Sequence, residues 1–502
     1  MKHWNNLGDL IDRSGDLDRA AIIDLRDPSA PRTWSHGEID RLAGGIARFL
    51  TDRGLSRGAR IAIASLNRAE YAAAYFGIMQ AGYVAVPINI KLPRETIDFI
   101  IDDAQIAFAF VDNVGKAVIS DHVPVANFDD AGSQGFIARV KPASFPAVEI
   151  TSDDIAQILY TSGSSGRPKG VLLSHSGQAW ALSMRVPDVT PDTRFIIAQP
   201  LFHMNGLFSM KIVFGANASL VMLPNFDVRS YIEALSRYDV TDLMAVPTMF
   251  ARIVKERELI RSLPFAIKKI ALGSAPVTLA LIEQIHEMFP QASISLGYGT
   301  TEAGPAVFGA HPKGLPTPAL SIGYPLRDDQ VKLIDNPNGA GKVLMMRNPA
   351  VMRGYLNLPE KTAEVLRDGW YYSGDVVRQD ENGFYFFVGR ADDMFVCSGE
   401  NIYPSEVEKM LEHSPLIQQA AVVPLADEER GQMPVAFIVP RAGATLTFDD
   451  VRRFALAHGP AYQHPRRVKF VQDLPWAGTN KIDRKDLIEQ ARLLEKEKGW
   501  SH

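Results

Sequence analysis

Helix-spaced apolar runs alternate with short strand-like runs from the first fifty residues onward, which predicts an α/β protein. Its 502 residues exceed what one hydrophobic core supports, so more than one domain is expected. The break Gly389-Arg390-Ala391-Asp392-Asp393 follows a β-rich region and divides the chain into residues 1–391 and a smaller unit, 392–502. In the large part, Ile39 to Leu50 predicts a helix, Ala59 to Ala64 a strand, Tyr71 to Met79 a helix and Tyr83 to Pro87 a strand. Past the break, Pro404-Ser405-Glu406 opens a helix with Val407, Met410 and Leu411 on one face. Strands at Ala420 to Val423 and Val435 to Val439 follow, so the tail reads as a compact α/β lid.

Composition narrows the function classes. With 46% hydrophobic and 22% charged residues the chain is globular rather than disordered. A net charge of −5 argues against nucleic acid or an anionic membrane surface as the main partner. A single cysteine, Cys397, excludes a disulfide framework and a cysteine-based metal cluster. Met1 to Asn6 lacks the apolar core of a signal peptide, and no apolar run reaches spanning length, so a cytoplasmic protein without an integral membrane segment is expected.

The most informative string is Tyr160-Thr161-Ser162-Gly163-Ser164-Ser165-Gly166-Arg167-Pro168-Lys169-Gly170. Small hydroxyl residues and glycines let backbone N–H groups close around phosphate oxygens, and Lys169 adds a positive charge. The spacing is not that of a Walker loop, because Gly163 and Gly166 are too close together and Lys169 precedes a glycine. Apolar residues on both sides, Ile155, Ile158 and Leu159 before it and Val171 to Leu173 after it, predict a loop joining two strands. A second string, Gly297-Tyr298-Gly299-Thr300-Thr301-Glu302, follows the apolar run 292–296 and is expected at a strand end, where parallel sheets bind ligands. Tyr298 could stack on a purine, Thr301 could donate to a phosphate, and Glu302 offers a hard oxygen for Mg²⁺. A third, Tyr372-Ser373-Gly374-Asp375 followed by Gly389-Arg390, offers a carboxylate for ribose hydroxyls beside an arginine, or a plain salt bridge.

Together these strings resemble the adenylate-forming superfamily, in its acyl-CoA synthetase and aryl-CoA ligase branch, over about residues 30 to 490. The resemblance implies a large N-terminal domain of mixed sheets with packed helices, a small β-rich subdomain, and a mobile C-terminal α+β lid. It implies pyrophosphate binding by Thr161, Ser162, Gly163, Ser164, Ser165, Gly166 and Lys169, and an adenine-side turn at Gly273-Ser274-Ala275-Pro276. Gly297, Tyr298, Gly299, Thr300 and Thr301 would hold adenine and α-phosphate, Glu302 and Thr161 the Mg²⁺, and Asp375 and Arg390 the ribose. Lys481, in Gly478-Thr479-Asn480-Lys481-Ile482-Asp483-Arg484-Lys485, would bridge the carboxylate and the α-phosphate, and Asp392 would be the hinge. His203, in Pro200-Leu201-Phe202-His203-Met204-Asn205-Gly206-Leu207, would gate the acid pocket, with Glu302 and Lys481 as its catalytic companions.

The implied reaction is an ATP-dependent ligation of a carboxylic acid to coenzyme A through acyl-AMP. Val396-Cys397-Ser398-Gly399-Glu400-Asn401-Ile402 is similar to the family's pantetheine-admitting loop, with Cys397 where serine is usual and Ser398 where glycine is usual. Ser398, Gly399 and Glu400 are therefore the coenzyme A candidates, and Cys397 reads as a small buried side chain. Phe202, Met204, Leu207, Ala245, Val246 and Met249 are expected around His203; with no arginine evident for a second carboxylate, a monocarboxylic fatty or aromatic acid follows. A stand-alone enzyme that loads a carrier-protein thiol, or a nucleotide-binding regulator without activity, are the other readings. A homodimer is implied only by the resemblance.

Overall fold

The computed structural model describes residues 4–161, 167–275, 277–337, 341–476 and 482–501. Two seven-stranded sheets form the body. The first runs in spatial order Ser293–Gly297, Lys269–Gly273, Asp242–Ala245, Arg194–Ile197, Ser219–Met222, Ala20–Asp24 and Arg32–Ser35, parallel throughout except at the final pair. The second runs Gly354–Tyr355, Lys169–Ser174, Ile155–Thr161, Val84–Pro87, Arg60–Ala64, Ile106–Val111 and Val125–Asn127. Its first three strands are antiparallel and the rest parallel, so it is a mixed sheet as expected.

The predicted early elements are present. Helix His36–Thr51 starts at a capping box in which Glu38 N–H donates to Ser35 Oγ at 3.1 Å and Ser35 N–H donates to Glu38 Oε2 at 2.8 Å. Its apolar positions Ile39, Leu42, Ile46 and Leu50 repeat at helical spacing and are all buried. The next helix, Ala69–Gln80, is buried on every side, because apolar residues surround its whole circumference and it packs inside the body rather than on its surface. Phe76 meets Phe214 of helix Met204–Gly215 edge to face at 4.8 Å, which joins two such buried helices.

A third, antiparallel sheet carries Val331–Asp335, Lys342–Met346, Trp370–Gln379, Leu366–Arg367 and Tyr385–Arg390, the β-rich region expected before the break. Beyond it, Phe395–Cys397, Glu400–Ile402, Ile417–Asp427, Gly431–Pro440 and Arg467–Phe470 make a fourth sheet packed by helices Pro404–Glu412, Phe448–His458 and Arg484–Glu497. Two apolar clusters of this last region draw only on residues from 395 onward. The helix at Pro404 begins with proline in its first turn, as its sequence predicts. Strands 417–427 and 431–440 run longer than their apolar cores suggested, because they form one continuous hairpin whose polar ends still pair. Cys397 is fully buried. Among the described residues no helix is long and apolar enough to cross a membrane.

Candidate active site

Strands Ile155–Thr161 and Lys169–Ser174 pair antiparallel, with Thr161 opposite Lys169, so the phosphate-type loop does join two strands. Gly354–Tyr355 adds on beside Lys169–Ser174, and this places the Tyr355 ring 4.4 Å beneath the Lys169 ammonium. Tyr355 in turn donates its hydroxyl to Glu302 Oε1 at 2.9 Å. Burial, then the nearby Glu302 carboxylate, push the Tyr355 pKa upward, so the phenol stays a donor. One oxygen of Glu302 is thereby fixed, and among the described residues no hydrogen bond or ion pair holds Oε2.

The turn that carries Glu302 leaves the edge strand Ser293–Gly297, as expected from sequence, beside the parallel strand Lys269–Gly273. Gly273 and Gly297 are register partners, so the turns at Gly273-Ser274-Ala275 and Gly297–Glu302 emerge side by side. Ala303 N–H donates to Thr300 Oγ1 at 3.0 Å and Gly304 N–H to Thr300 O at 2.9 Å, which closes the loop on itself. A Cβ on Gly299 would lie 2.6 Å from Pro305 Cα, so this closure requires glycine.

Asp375 and Arg390 face each other in the hairpin of Trp370–Gln379 and Tyr385–Arg390. Arg390 Nη1 donates to Asp375 Oδ1 at 3.1 Å and to Ser373 O at 2.9 Å. Its Nε and Nη2 reach the two carboxylate oxygens of Asp392 at 2.9 and 3.1 Å. Burial works against the guanidinium charge, but Asp392 and Asp375 outweigh it and hold the Arg390 pKa above its ordinary value. Tyr298 donates to Asp375 Oδ2. Gly374 has φ +72°, and a Cβ there would sit 3.0 Å from Arg390 Nη2, so only glycine lets the arginine lie across the hairpin.

His203 precedes helix Met204–Gly215, its ring edge-on to Phe202 at 4.6 Å. The preceding segment is pinned from below by two residues the sequence did not single out. Asn67 accepts from Leu201 N–H at 3.0 Å and donates to Gln199 O at 2.9 Å, and Tyr71 donates to Leu201 O at 2.9 Å. Phe202, Met204 and Val246 line the space beside His203 as expected. Leu207, Ala245 and Met249 turn into the core instead; on helix Met204–Gly215 the cleft face repeats every four residues from Met204, so Phe208 and Ile212 line the cleft and Leu207 does not.

One cleft of about 2480 Å³ gathers these parts: Thr161, Lys169, His203, Ser274, Ala275, the Gly297–Glu302 turn, Asp375, Arg390 and Asp392 all line it. Residues 13–356 match the model of the AMP-binding enzyme family, and 406–481 match the model of the AMP-binding enzyme C-terminal domain. The chain belongs to the AMP-binding enzyme family. Among relatives of this AMP-binding enzyme, 4-coumarate–CoA ligase of Pinus taeda is 30% identical over 95% of this chain and 93% of that protein. Feruloyl-CoA synthase of an Amycolatopsis species is 30% identical over 89% and 92%. The crystal structure of ATP-bound MatB from Rhodopseudomonas palustris superposes with a TM-score of 0.86 at 27% identity, over 98% and 99% of the two chains.

Not every expected residue of this AMP-binding enzyme falls at the cleft. Ser162 to Gly166, Pro276 and Lys481 lie outside the described residues. Of the residues around Lys481, Trp476 and Ile482 form an antiparallel bridge and both line the cleft, together with Asp483, Arg484 and Lys485. Ser398, Gly399 and Glu400 do not line it: Ser398 (φ +54°) and Gly399 (φ +84°) form the tight turn between strands Phe395–Cys397 and Glu400–Ile402, with Ser398 N–H bonded to Arg430 O. Tyr355 and Arg185, both on the cleft wall, were not evident from sequence, since neither belongs to a motif.

Proposed function

We propose that this chain activates a monocarboxylic acid with ATP and passes the acyl group to coenzyme A, as an AMP-forming acid–thiol ligase. The observation that carries the reading is the meeting, in one cleft, of the Thr161 and Lys169 strand ends, the Glu302 turn, Asp375 with Arg390, and the edge 482–485 of the C-terminal region. The relatives named as CoA ligases support the choice of thiol.

In this reading residues 1–391 bind ATP and acid, and 392–502 act as the lid. Asp375 accepts the ribose hydroxyls, and Arg390 and Tyr298 keep its carboxylate aimed. Ser274, Ala275 and Pro276 border the adenine, while Gly297 to Thr301 hold adenine and α-phosphate. Ser162 to Gly166, with Thr161 and Lys169, surround the departing pyrophosphate. Glu302 Oε2 and the Thr161 hydroxyl suit Mg²⁺, a hard cation that takes oxygen ligands. Among the described residues no group of three or more His, Cys, Asp and Glu stands ready for a metal, so nucleotide phosphates and water would complete the shell. When bound, the ion supplies charge neutralisation at the phosphate oxygens.

The carboxylate oxygen bonds to the α-phosphorus as the bond to pyrophosphate breaks, and AMP then serves as leaving group for the attacking thiolate. Lys481 stabilises charge in the first step. The turn at Ser398-Gly399-Glu400 would reach the cleft only after the lid rotates at Asp392, which lies two residues past strand Tyr385–Arg390. The test is acid-dependent pyrophosphate release across fatty and aromatic acids, with and without coenzyme A, followed by thioester detection. Release with thioester is expected. No release with any acid would leave a regulator, and acyl-AMP without thioester would point to a carrier protein. Lys481→Ala should abolish release yet spare thioester formation from supplied acyl-AMP; equal loss of both refutes that division.

A further inference from the structure

Arg185 is a cation in the wall of the acid chamber that neither the adenylation chemistry nor the fold accounts for. It lies just past helix His175–Ser183, and the next residue, Val186, has its Cγ2 3.2 Å from where a Cβ on Gly215 would sit. Gly215 closes the helix that His203 opens. The cleft face of that helix, Met204, Phe208 and Ile212, therefore leads from His203 toward Arg185, over about 12 Å at the rise of an α-helix.

From there the guanidinium reaches across to the loop that follows Glu302. Nη2 donates to Phe308 O at 2.6 Å and, more weakly, to Pro305 O at 3.5 Å. Among the described residues the guanidinium makes no other hydrogen bond and no ion pair within 4.0 Å, while the backbone of Arg185 is bonded to Leu182 and Asp188. Two backbone carbonyls engage one nitrogen of a group that carries five N–H donors. Burial pulls the Arg185 pKa down and Asp188 only partly offsets it, so the charge is held in a poorly solvating place. Gly309, also on the cleft, leaves the group uncovered: even a Cβ there would remain 3.8 Å from Nη1, and it would collide with Leu326 at 2.7 Å. Nη1 and Nε are not among the sealed polar atoms and Arg185 lines the cleft, so an acceptor delivered by the ligand can reach them.

We infer that Arg185 reads the end of the acid remote from its reacting carboxylate, and that the preferred substrates carry an oxygen acceptor there, a hydroxyl, a carbonyl or a second carboxylate, the last of which would replace the monocarboxylic acid proposed above. This rests on the adenylation reading of the cleft. The remainder of the acid is apolar, as Met204, Phe208 and Ile212 require. A methyl-terminated acid of the same length would set an apolar end against Nη1 and Nε and displace their water without replacing its hydrogen bonds, and sites that bond a substrate oxygen discriminate against the analogue lacking it.

The test measures kcat/KM for pyrophosphate release with acids matched in length and differing only at the remote end: methyl, hydroxyl, keto and carboxylate, in straight-chain and para-substituted aryl series. An oxygen-bearing end is expected to raise kcat/KM by at least about tenfold, the hydroxyl and carboxylate arms telling a neutral acceptor from an anionic one. Arg185→Gln should lower kcat/KM for the oxygen-bearing acid about tenfold more than for its methyl partner, and Arg185→Lys should restore part of the ratio. A wild-type preference for the methyl-terminated acids, or an equal loss for both partners in Arg185→Gln and Arg185→Lys, overturns the inference and leaves Arg185 as a clamp on the 305–308 loop. Pyrophosphate from no acid at all overturns the adenylation reading itself, a result distinct from release without end preference.

Discussion

Tyr298 donates its hydroxyl to Asp375 Oδ2 at 2.5 Å, and so ties the strand-end turn of one sheet to the hairpin of another, 77 positions away in sequence. The carboxylate proposed to hold ribose is thus aimed by a phenol from one side and by Arg390 from the other. Tyr298→Phe removes one hydrogen bond to a charged acceptor, about 1.5–3 kcal/mol. The KM for ATP should rise roughly tenfold or more, with kcat changed less, and Asp375→Asn should raise it further. Burial and then Asp375 raise the Tyr298 pKa, so the wild-type KM should show no inflection from this group up to about pH 10. ATP saturation curves of pyrophosphate release decide it; unchanged KM in both variants takes Asp375 out of the nucleotide site.

The Lys169, Tyr355 and Glu302 stack leads to a prediction about magnesium. Glu302→Gln should raise the Mg²⁺ concentration for half-maximal pyrophosphate release by about tenfold or more, since an amide oxygen is a weaker ligand for a hard cation. Tyr355→Phe keeps the carboxylate but loses the hydrogen bond that orients it, and should shift the same midpoint by less. An Mg²⁺ titration at saturating ATP that is identical in Glu302→Gln and wild type would remove Glu302 from the metal site.

What the sequence disclosed follows the range of the interactions. The hairpin at Thr161 and Lys169 was readable because apolar runs flank the loop on both sides, and the strand-end position of Gly297 to Glu302 because an apolar run stops there. Asp375 and Arg390 could be proposed as a pair from the resemblance, but their placement opposite each other depends on a hairpin with a register shift between Val376 and Val377. Tyr355 meets Glu302 only because a two-residue strand docks beside Lys169–Ser174, and strands that short leave no periodic signal. Arg185 was unreadable for a similar reason: its partners are the backbone carbonyls of Pro305 and Phe308, and carbonyls carry no sequence mark. Leu207 was misplaced because a helix apolar all round does not say which face borders the cleft, and Ala245 and Met249 lie on a strand end and a different helix whose inward faces the sequence does not mark.

His175 predicts how the fold responds to acid. It is buried, its Nδ1 accepts the Leu7 N–H at 3.1 Å, and burial pulls its pKa down from 6.5 to about 4. The unfolded chain takes up this proton near pH 6.5 and the folded chain only near 4, so unfolding binds a proton within that window. The contribution is complete above about pH 6.5 and is lost as pH falls through about 4, in all about 3 kcal/mol. Thermal melts of the wild type should fall across this range, and His175→Gln, which keeps an acceptor but cannot charge, should flatten that part of the profile. Parallel profiles for the two proteins would contradict it.

Arg484 shows how the segment after Lys481 is anchored. Its Nη1 and Nη2 reach Glu408 Oε1 and Oε2 at 2.7 and 2.8 Å, and Nη1 also donates to Val422 O at 2.8 Å. Glu408 Oε1 accepts Val422 N–H at 2.7 Å, so the pair locks helix Pro404–Glu412, strand Ile417–Asp427 and the start of helix Arg484–Glu497 together. Asp483 N–H donates to Pro475 O at 2.9 Å, a bond between residues on either side of Lys481 in sequence. Removing one member of a largely buried ion pair costs about 3 kcal/mol, so Arg484→Met should lower the melting temperature measurably. Because Arg484 holds the segment next to Lys481, the residue proposed for the first half-reaction, acyl-AMP formation should fall at least about tenfold more than thioester formation from supplied acyl-AMP. Glu408→Gln keeps both acceptor and shape and should show the same asymmetry with a smaller loss of stability. Equal loss of both half-reactions, tracking the melting temperature, would reduce the pair to a structural bond of the C-terminal region.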